Sequence, residues 1–270
     1  MEMETRNPAV AGMFYPGTRQ ALSAELDRLI PEKSVKRKAI GIVSPHAGYI
    51  YSGAVAGELI SSVAIPQKII LIGPNHTGFG IKGSVMAEGC WSLPNGTVNV
   101  DTFLAKKIMG ATKILGHDTL AHLREHSLEV QIPFLLHERE GIDIVPITLM
   151  GLGVDACREA GHAIAGAIRE SGEEALIIAS SDMTHYESDE SARKKDKKAI
   201  DKVLALDPEG LYQVVTENRI SMCGIIPATV MLFAALELGA KKAELVKYAT
   251  SGDVSGEYNQ VVGYAGMIVE

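Results

Sequence analysis

The sequence is poor in cysteine. Cys90, Cys157 and Cys223 are an odd, scattered set in 270 residues, with no Cys-x-x-Cys pair, which argues against a disulfide framework. It also lacks a membrane-length apolar run. The longest, Ile225–Leu236, is interrupted by Pro227 and is too short to cross a bilayer. The opening residues Met-Glu-Met-Glu-Thr-Arg-Asn-Pro do not show the charged-then-apolar order of a signal peptide, so a soluble, cytoplasmic protein is expected. Positive charge is in deficit: 26 Lys and Arg against 33 Asp and Glu leave a net charge of −7, which speaks against nucleic acid or an anionic membrane as partner. Neither Ser44 nor Ser180 stands in Gly-x-Ser-x-Gly, and no Walker or dinucleotide glycine pattern follows the first strand. Repeats, low-complexity tracts and a domain linker are absent as well.

What is present is an alternation of strand and helix patterns, which predicts an α/β fold with a mixed, largely parallel central sheet flanked by helices, a single domain over residues 1–270. At 46% hydrophobic content the chain can bury a sizeable core. Ile69–Ile72 reads as a strand buried on both faces, stopped by Gly73-Pro74 and followed at once by Asn75-His76. The same grammar recurs at Ile40–His46 and at Leu176–His185. Three buried strands would thus each deliver a histidine to one rim, the carboxyl edge where open α/β sheets bind ligands. Thr18 and Asp101 are expected to cap helices. Pro146 places the strand 142–149 at an edge or a bulge. Ser251–Gly256 reads as a glycine-rich loop, and the basic run inside 188–205 as a solvated amphipathic helix.

His46 and His76 follow buried strands, so their rings are expected to be held rigidly. Cys223 precedes an apolar helix, where the helix dipole favours thiolate. Two imidazoles and a thiolate suit iron, copper or zinc, not magnesium or calcium. Taken singly, each of these residues has a plainer reading, a hydrogen-bonded loop histidine or a small core cysteine. Asp182 and His185 lie three apart after a strand end. They read either as a carboxylate that fixes an imidazole's tautomer for acid–base work, or as a helix cap beside a packed ring. His126 and Glu129 have i, i+3 spacing on an expected helix face, turned inward or outward. His117, His122, His137 and His162 are expected to be surface or structural.

The segments Asn7–Pro16, Ser44–Gly53, Gly73–His76, Glu125–Glu129, Ser180–His185 and Met222–Gly224 resemble, in order and from end to end, the Memo family, protein B of the AmmeMemoRadiSam system of archaea and bacteria. The resemblance implies a fold like that of the class III extradiol dioxygenases, which hold non-haem iron with two histidines and a carboxylate. It places His46 and His76 on the two histidines and Cys223 on the third ligand, with Asp182, His185 and His126 as candidate catalytic groups. A thiolate in place of a carboxylate makes copper or redox chemistry as plausible as ring cleavage. The implied function is a metal-dependent oxidoreductase, or a non-catalytic adaptor that recognises a peptide or small molecule in the same pocket. A functional link to a radical SAM protein is implied by the system.

Overall fold

A computed structural model describes residues 4–33 and 35–270. In chain order the elements begin β1 (Thr5–Arg6), α1 (Arg19–Leu29), β2 (Gly41–Ser44), α2 (Tyr49–Ser61), β3 (Lys68–Pro74), β4 (Gly83–Val85), β5 (Cys90–Leu93), β6 (Gly96–Val100), α3 (Thr102–Gly110) and β7 (Gly116–His117). A 3-10 turn, Glu129–Gln131, then leads into α4 (Ile132–Glu138), β8 (Asp143–Leu149), α5 (Val154–Ser171), β9 (Ala175–Ser180) and β10 (His185–Glu187). The chain closes with α6 (Asp189–Leu204), α7 (Pro208–Glu217), α8 (Ile225–Glu237), β11 (Ala243–Thr250), α9 (Gly252–Ser255) and β12 (Val261–Val269). Thr18 and Asp101 cap α1 and α3 by accepting from Ala21 N and Leu104 N.

The strands form one mixed sheet in the order β1-β5-β6-β8-β3-β9-β2-β12-β10, with β11 on β12 and β4 joining β8 to β7. Its centre, β6-β8-β3-β9-β2, is parallel. Successive side chains of β3 enter opposite cores. Ile70 and Ile72 belong to the core shared with α5, α7 and α8, whereas Ile69 and Leu71 belong to the core shared with α1, α2 and α4. That period of two, apolar at every step, is why the run is uniformly hydrophobic.

Four local expectations change. β3 runs on through Gly73 and Pro74 rather than stopping before them. Pro146 lies in an interior strand: β8 has β3 on one side, with β6 and β4 sharing the other. The proline is tolerated because its carbonyl, which accepts from Met86 N, faces the gap between β6 and β4; its missing N–H falls on that same side. Gly252–Ser255 makes a helical turn inside the expected loop. Residues 208–217, given no element from the sequence, form α7, started by Asp207, which accepts from Gly210 N, and by Pro208 in its first turn.

Candidate metal centre

β3, β9 and β2 are neighbours in the sheet, and their carboxyl ends lead directly to His76, Asp182 and His46. The expectation of a single rim is met for His46 and His76, because parallel strands put their carboxyl ends on one side. The third histidine, His185, instead opens β10, and its ring Nδ1 is taken up by Ser221 O (2.9 Å). His46 Nε2 lies 3.2 Å from Cys223 Sγ. The ligand atoms of His46, His76 and Cys223 lie within 4.8 Å of one another. The rings of His46 and His76 meet edge to face, with centroids 5.2 Å apart.

Each imidazole is held by its Nδ1. Ser180 Oγ gives its proton to Ser127 O (2.7 Å) and accepts from Gln131 Nε2 (3.0 Å), so its 2.9 Å contact with His46 Nδ1 makes that nitrogen the donor. His46 Nε2 is therefore a bare lone pair aimed at Cys223. His76 Nδ1 lies 2.9 Å from Oε1 of Glu125, and the same carboxylate accepts from His76 N (2.6 Å) and Ser127 N (2.9 Å). Burial alone would raise the Glu125 carboxyl. The hydrogen bond and charge of His76, the Ser127 N–H and the charge of His126 outweigh it and bring the group down to about 2. An ionised Glu125 accepts from His76 Nδ1–H, which fixes the ring and leaves Nε2 as the nitrogen not bonded to it. Burial, reinforced by the charges of His126, His76 and His185, holds His46 well below the ordinary imidazole value, so it stays neutral.

No pattern in the sequence marks Glu125 or Gln131 as the partner of these rings. Glu125 sits 49 residues from its partner, and no spacing rule links them. The enabling residue is Gly73, where a Cβ would lie 2.5 Å from Ser127 Oγ. Its bare backbone lets the 125–128 loop press against the end of β3.

Three other site expectations need correction. His126 and Glu129 are not partners on one helix face, because His126 precedes the 3-10 turn. The His126 ring stacks on His76 at 4.6 Å, meets His46 at 5.4 Å and packs on Phe14 at 4.8 Å. Glu129 instead binds the N-terminal arm. Asp182 does not orient His185 and caps no helix: its Oδ1 accepts from His46 N (2.7 Å), while the His185 ring donates from Nδ1 to Ser221 O (2.9 Å). Burial pushes the Asp182 carboxyl up to about 6, against the N–H groups of His46 and Ala47 and the charge of His185. Cys223 is not a poised thiolate. It sits one residue before the helix cap Gly224, and burial, with the Asp182 charge beside it, pushes the thiol up despite N–H groups from Asp182 and Gly224. In metal-free protein at pH 7, Cys223 is therefore expected to alkylate more slowly than the same cysteine in urea-unfolded chain. Site-resolved iodoacetamide labelling between pH 6 and 10 measures this, and a fast, pH-independent rate at neutrality would contradict it.

The remaining histidines behave as expected. His122 is buried against Ser84 Oγ (3.0 Å), His137 and His162 sit beside Asp27 and Glu237, and His117 is exposed.

Residues 6–268 match the model of the Memo-like proteins. The chain belongs to the Memo family. Among its relatives, the MEMO1 family protein of Methanothermobacter thermautotrophicus is 41% identical, with 96% of this chain and 98% of that protein covered. The one from Methanosarcina acetivorans is 45% identical, covering 99% and 100%, and the one from Aquifex aeolicus 43%, covering 98% and 99%. A crystal structure of an uncharacterized protein from Escherichia coli K12 superposes with a TM-score of 0.56 at 15% identity, over 86% of this chain and all of that one. The likeness supports the mixed α/β arrangement of this chain. Among the described residues no helix is long and apolar enough to cross a membrane.

Proposed function

We propose that this Memo-family protein binds iron or copper through His46 Nε2, His76 Nε2 and Cys223 Sγ and acts as a metal-dependent redox protein. The observation that carries the reading is the convergence of three ligand atoms within 4.8 Å, with both imidazoles anchored at Nδ1 and presenting Nε2. The donor set fits: two imidazoles and a sulfur that releases its proton on coordination suit iron, copper or zinc. Bound there, the metal would supply one-electron or oxygen chemistry. This chain's own residues do the rest. Ser180 and Glu125 orient the rings. Asp182, buried and with its carboxyl raised to about 6, holds or moves a proton beside His46, and the His126 ring lies against that of His46.

A second reading is favoured by the apolar side chains exposed on the segments that carry the histidines. Phe79 follows His76, Ile50 and Tyr51 follow His46, and Leu120 and Leu123 precede Glu125. Such a rim suits a small molecule or a peptide held without chemistry.

Metal analysis of untagged protein purified without chelators tests the first reading. Alanine at His46, His76 or Cys223 is expected to reduce iron or copper stoichiometry strongly while far-UV CD is retained. Unchanged metal content in all three variants would dismiss it. Asp182→Asn separates the two readings: an enzyme keeps metal supplied in excess and loses oxygen consumption or metal reduction, whereas a binding module shows no metal-dependent turnover even as wild type.

A further inference from the structure

The N-terminal arm, residues 6–16, is tied to the loop that carries Glu125 and His126 by one buried ion pair. Arg6 is 2% exposed and Glu129 is fully buried. The Arg6 guanidinium forks. Nη1 meets Glu129 Oε2, Nε donates to His122 O (3.1 Å) and Nη2 donates to Glu125 O (2.8 Å), while its face lies 4.2 Å from the Trp91 ring centre. Glu129 also accepts from Ala9 N (2.8 Å), Val10 N (3.0 Å) and Tyr15 OH (2.6 Å). From the same arm, Phe14 packs on the His126 ring.

We infer that Arg6 is a positioning residue for the metal centre: by clamping the carbonyls of His122 and Glu125 it sets the stance of the Glu125 carboxylate, and through it the ring of His76. The argument is geometric. Residues 122–126 lie outside helix and sheet. Among the described residues His122 O accepts only a long turn bond from Glu125 N (3.4 Å) besides Arg6, and His126 O accepts from Val130 N (3.1 Å). Arg6 adds a hold from across the chain with two donors of a rigid planar fork, and Glu129 orients the fork with a third. Glu125 spends both oxygens on His76, so rotation of the 125 backbone withdraws the partner of His76 Nδ1. The inference deepens the metal reading above and rests on it.

Arg6→Lys tests the inference in the full chain. Lysine keeps a charge for Glu129 but, as a point donor, cannot also span both carbonyls. The variant is expected to fold and to lose about tenfold or more in affinity for cobalt(II) or zinc, measured against a chromogenic chelator, with an altered visible spectrum of the cobalt form. In metal-free protein, the 15N signals of the His76 ring are expected to shift from the pure Nδ1–H tautomer toward a mixture. Amide exchange across 122–127 should quicken. Val98→Ala, which removes two methyl groups from the buried cross-strand neighbour of Trp91, is the control for mere destabilisation. If it lowers metal affinity as much as Arg6→Lys, the inference is overturned. Unchanged affinity and an unchanged His76 tautomer in Arg6→Lys overturn it too. Wild-type protein that binds none of these metals defeats the metal reading alone, and the His76 tautomer in Arg6→Lys then decides the coupling by itself.

Discussion

Glu129→Ala is expected to lower the unfolding free energy by about 3–5 kcal/mol, the usual cost of removing one partner from a buried ion pair. The residue is wholly inside, and its loss leaves four donors without an acceptor: Arg6 Nη1, Ala9 N, Val10 N and the Tyr15 hydroxyl. The charged guanidinium dominates, since an unpaired buried charge costs far more than an unpaired amide. At about 2–4 °C per kcal/mol for a chain of this size, the midpoint temperature should fall by roughly 6–20 °C. Replacing both partners, as in Arg6→Met with Glu129→Met, is expected to cost less than Glu129→Ala, because no charge is left behind. Urea melts of the three proteins measure this. A Glu129→Ala loss below about 1 kcal/mol would mean that the arm is held by apolar contacts such as those of Val10 and Tyr15, not by the carboxylate.

The second large effect belongs to Glu125. Glu125→Gln keeps the shape and removes the charge that holds His76 in the Nδ1–H form, so metal affinity is expected to fall by about 10–100-fold, read by chelator competition at pH 7. The same variant carries a pH signature in the metal-free protein. The Glu125 carboxyl lies at about 2 in the folded state against an ordinary 4.5. A depressed carboxyl contributes stability that is present above pH 4.5 and is lost as the pH falls toward 2, where the folded form takes up its proton. Wild type should therefore exceed Glu125→Gln in stability at neutral pH, and the difference should shrink between pH 4.5 and about 2. Chemical denaturation across that window checks it. A difference that does not change with pH would show that His76 N, His76 Nδ1 and Ser127 N are satisfied as well by the amide.

Both effects depend on contacts that lie far apart in the chain, and this marks where sequence reasoning ended. His76 was visible because a buried strand followed by Gly-Pro-Asn-His has a local cause. Its partner Glu125 was not, since a crowded polar segment such as Gly116–Gln131 does not say which carboxylate turns inward. The i, i+3 rule paired His126 with Glu129 on the premise of a helix. The backbone there is still a loop, so the two side chains diverge to different partners. Cys223 failed for a related reason. Proximity to a helix start was legible, but burial of the sulfur beside Asp182 outweighs the dipole.

By itself the sequence determined the layers and the rim. Consecutive apolar side chains at 69–72 of β3, 144–147 of β8 and 175–179 of β9 demand cover on both faces, and parallel strands place the residues after each carboxyl end on one edge, so His46, His76 and Asp182 converge. Only the tertiary structure decided which nitrogen each histidine presents, which carboxylate holds His76, and that Pro146 sits inside the sheet. Those outcomes rest on partners 49 residues or more away, or on a gap between two neighbouring strands. Periodicity specifies which face of an element is buried, whereas hydrogen-bond pairing is settled when the faces meet.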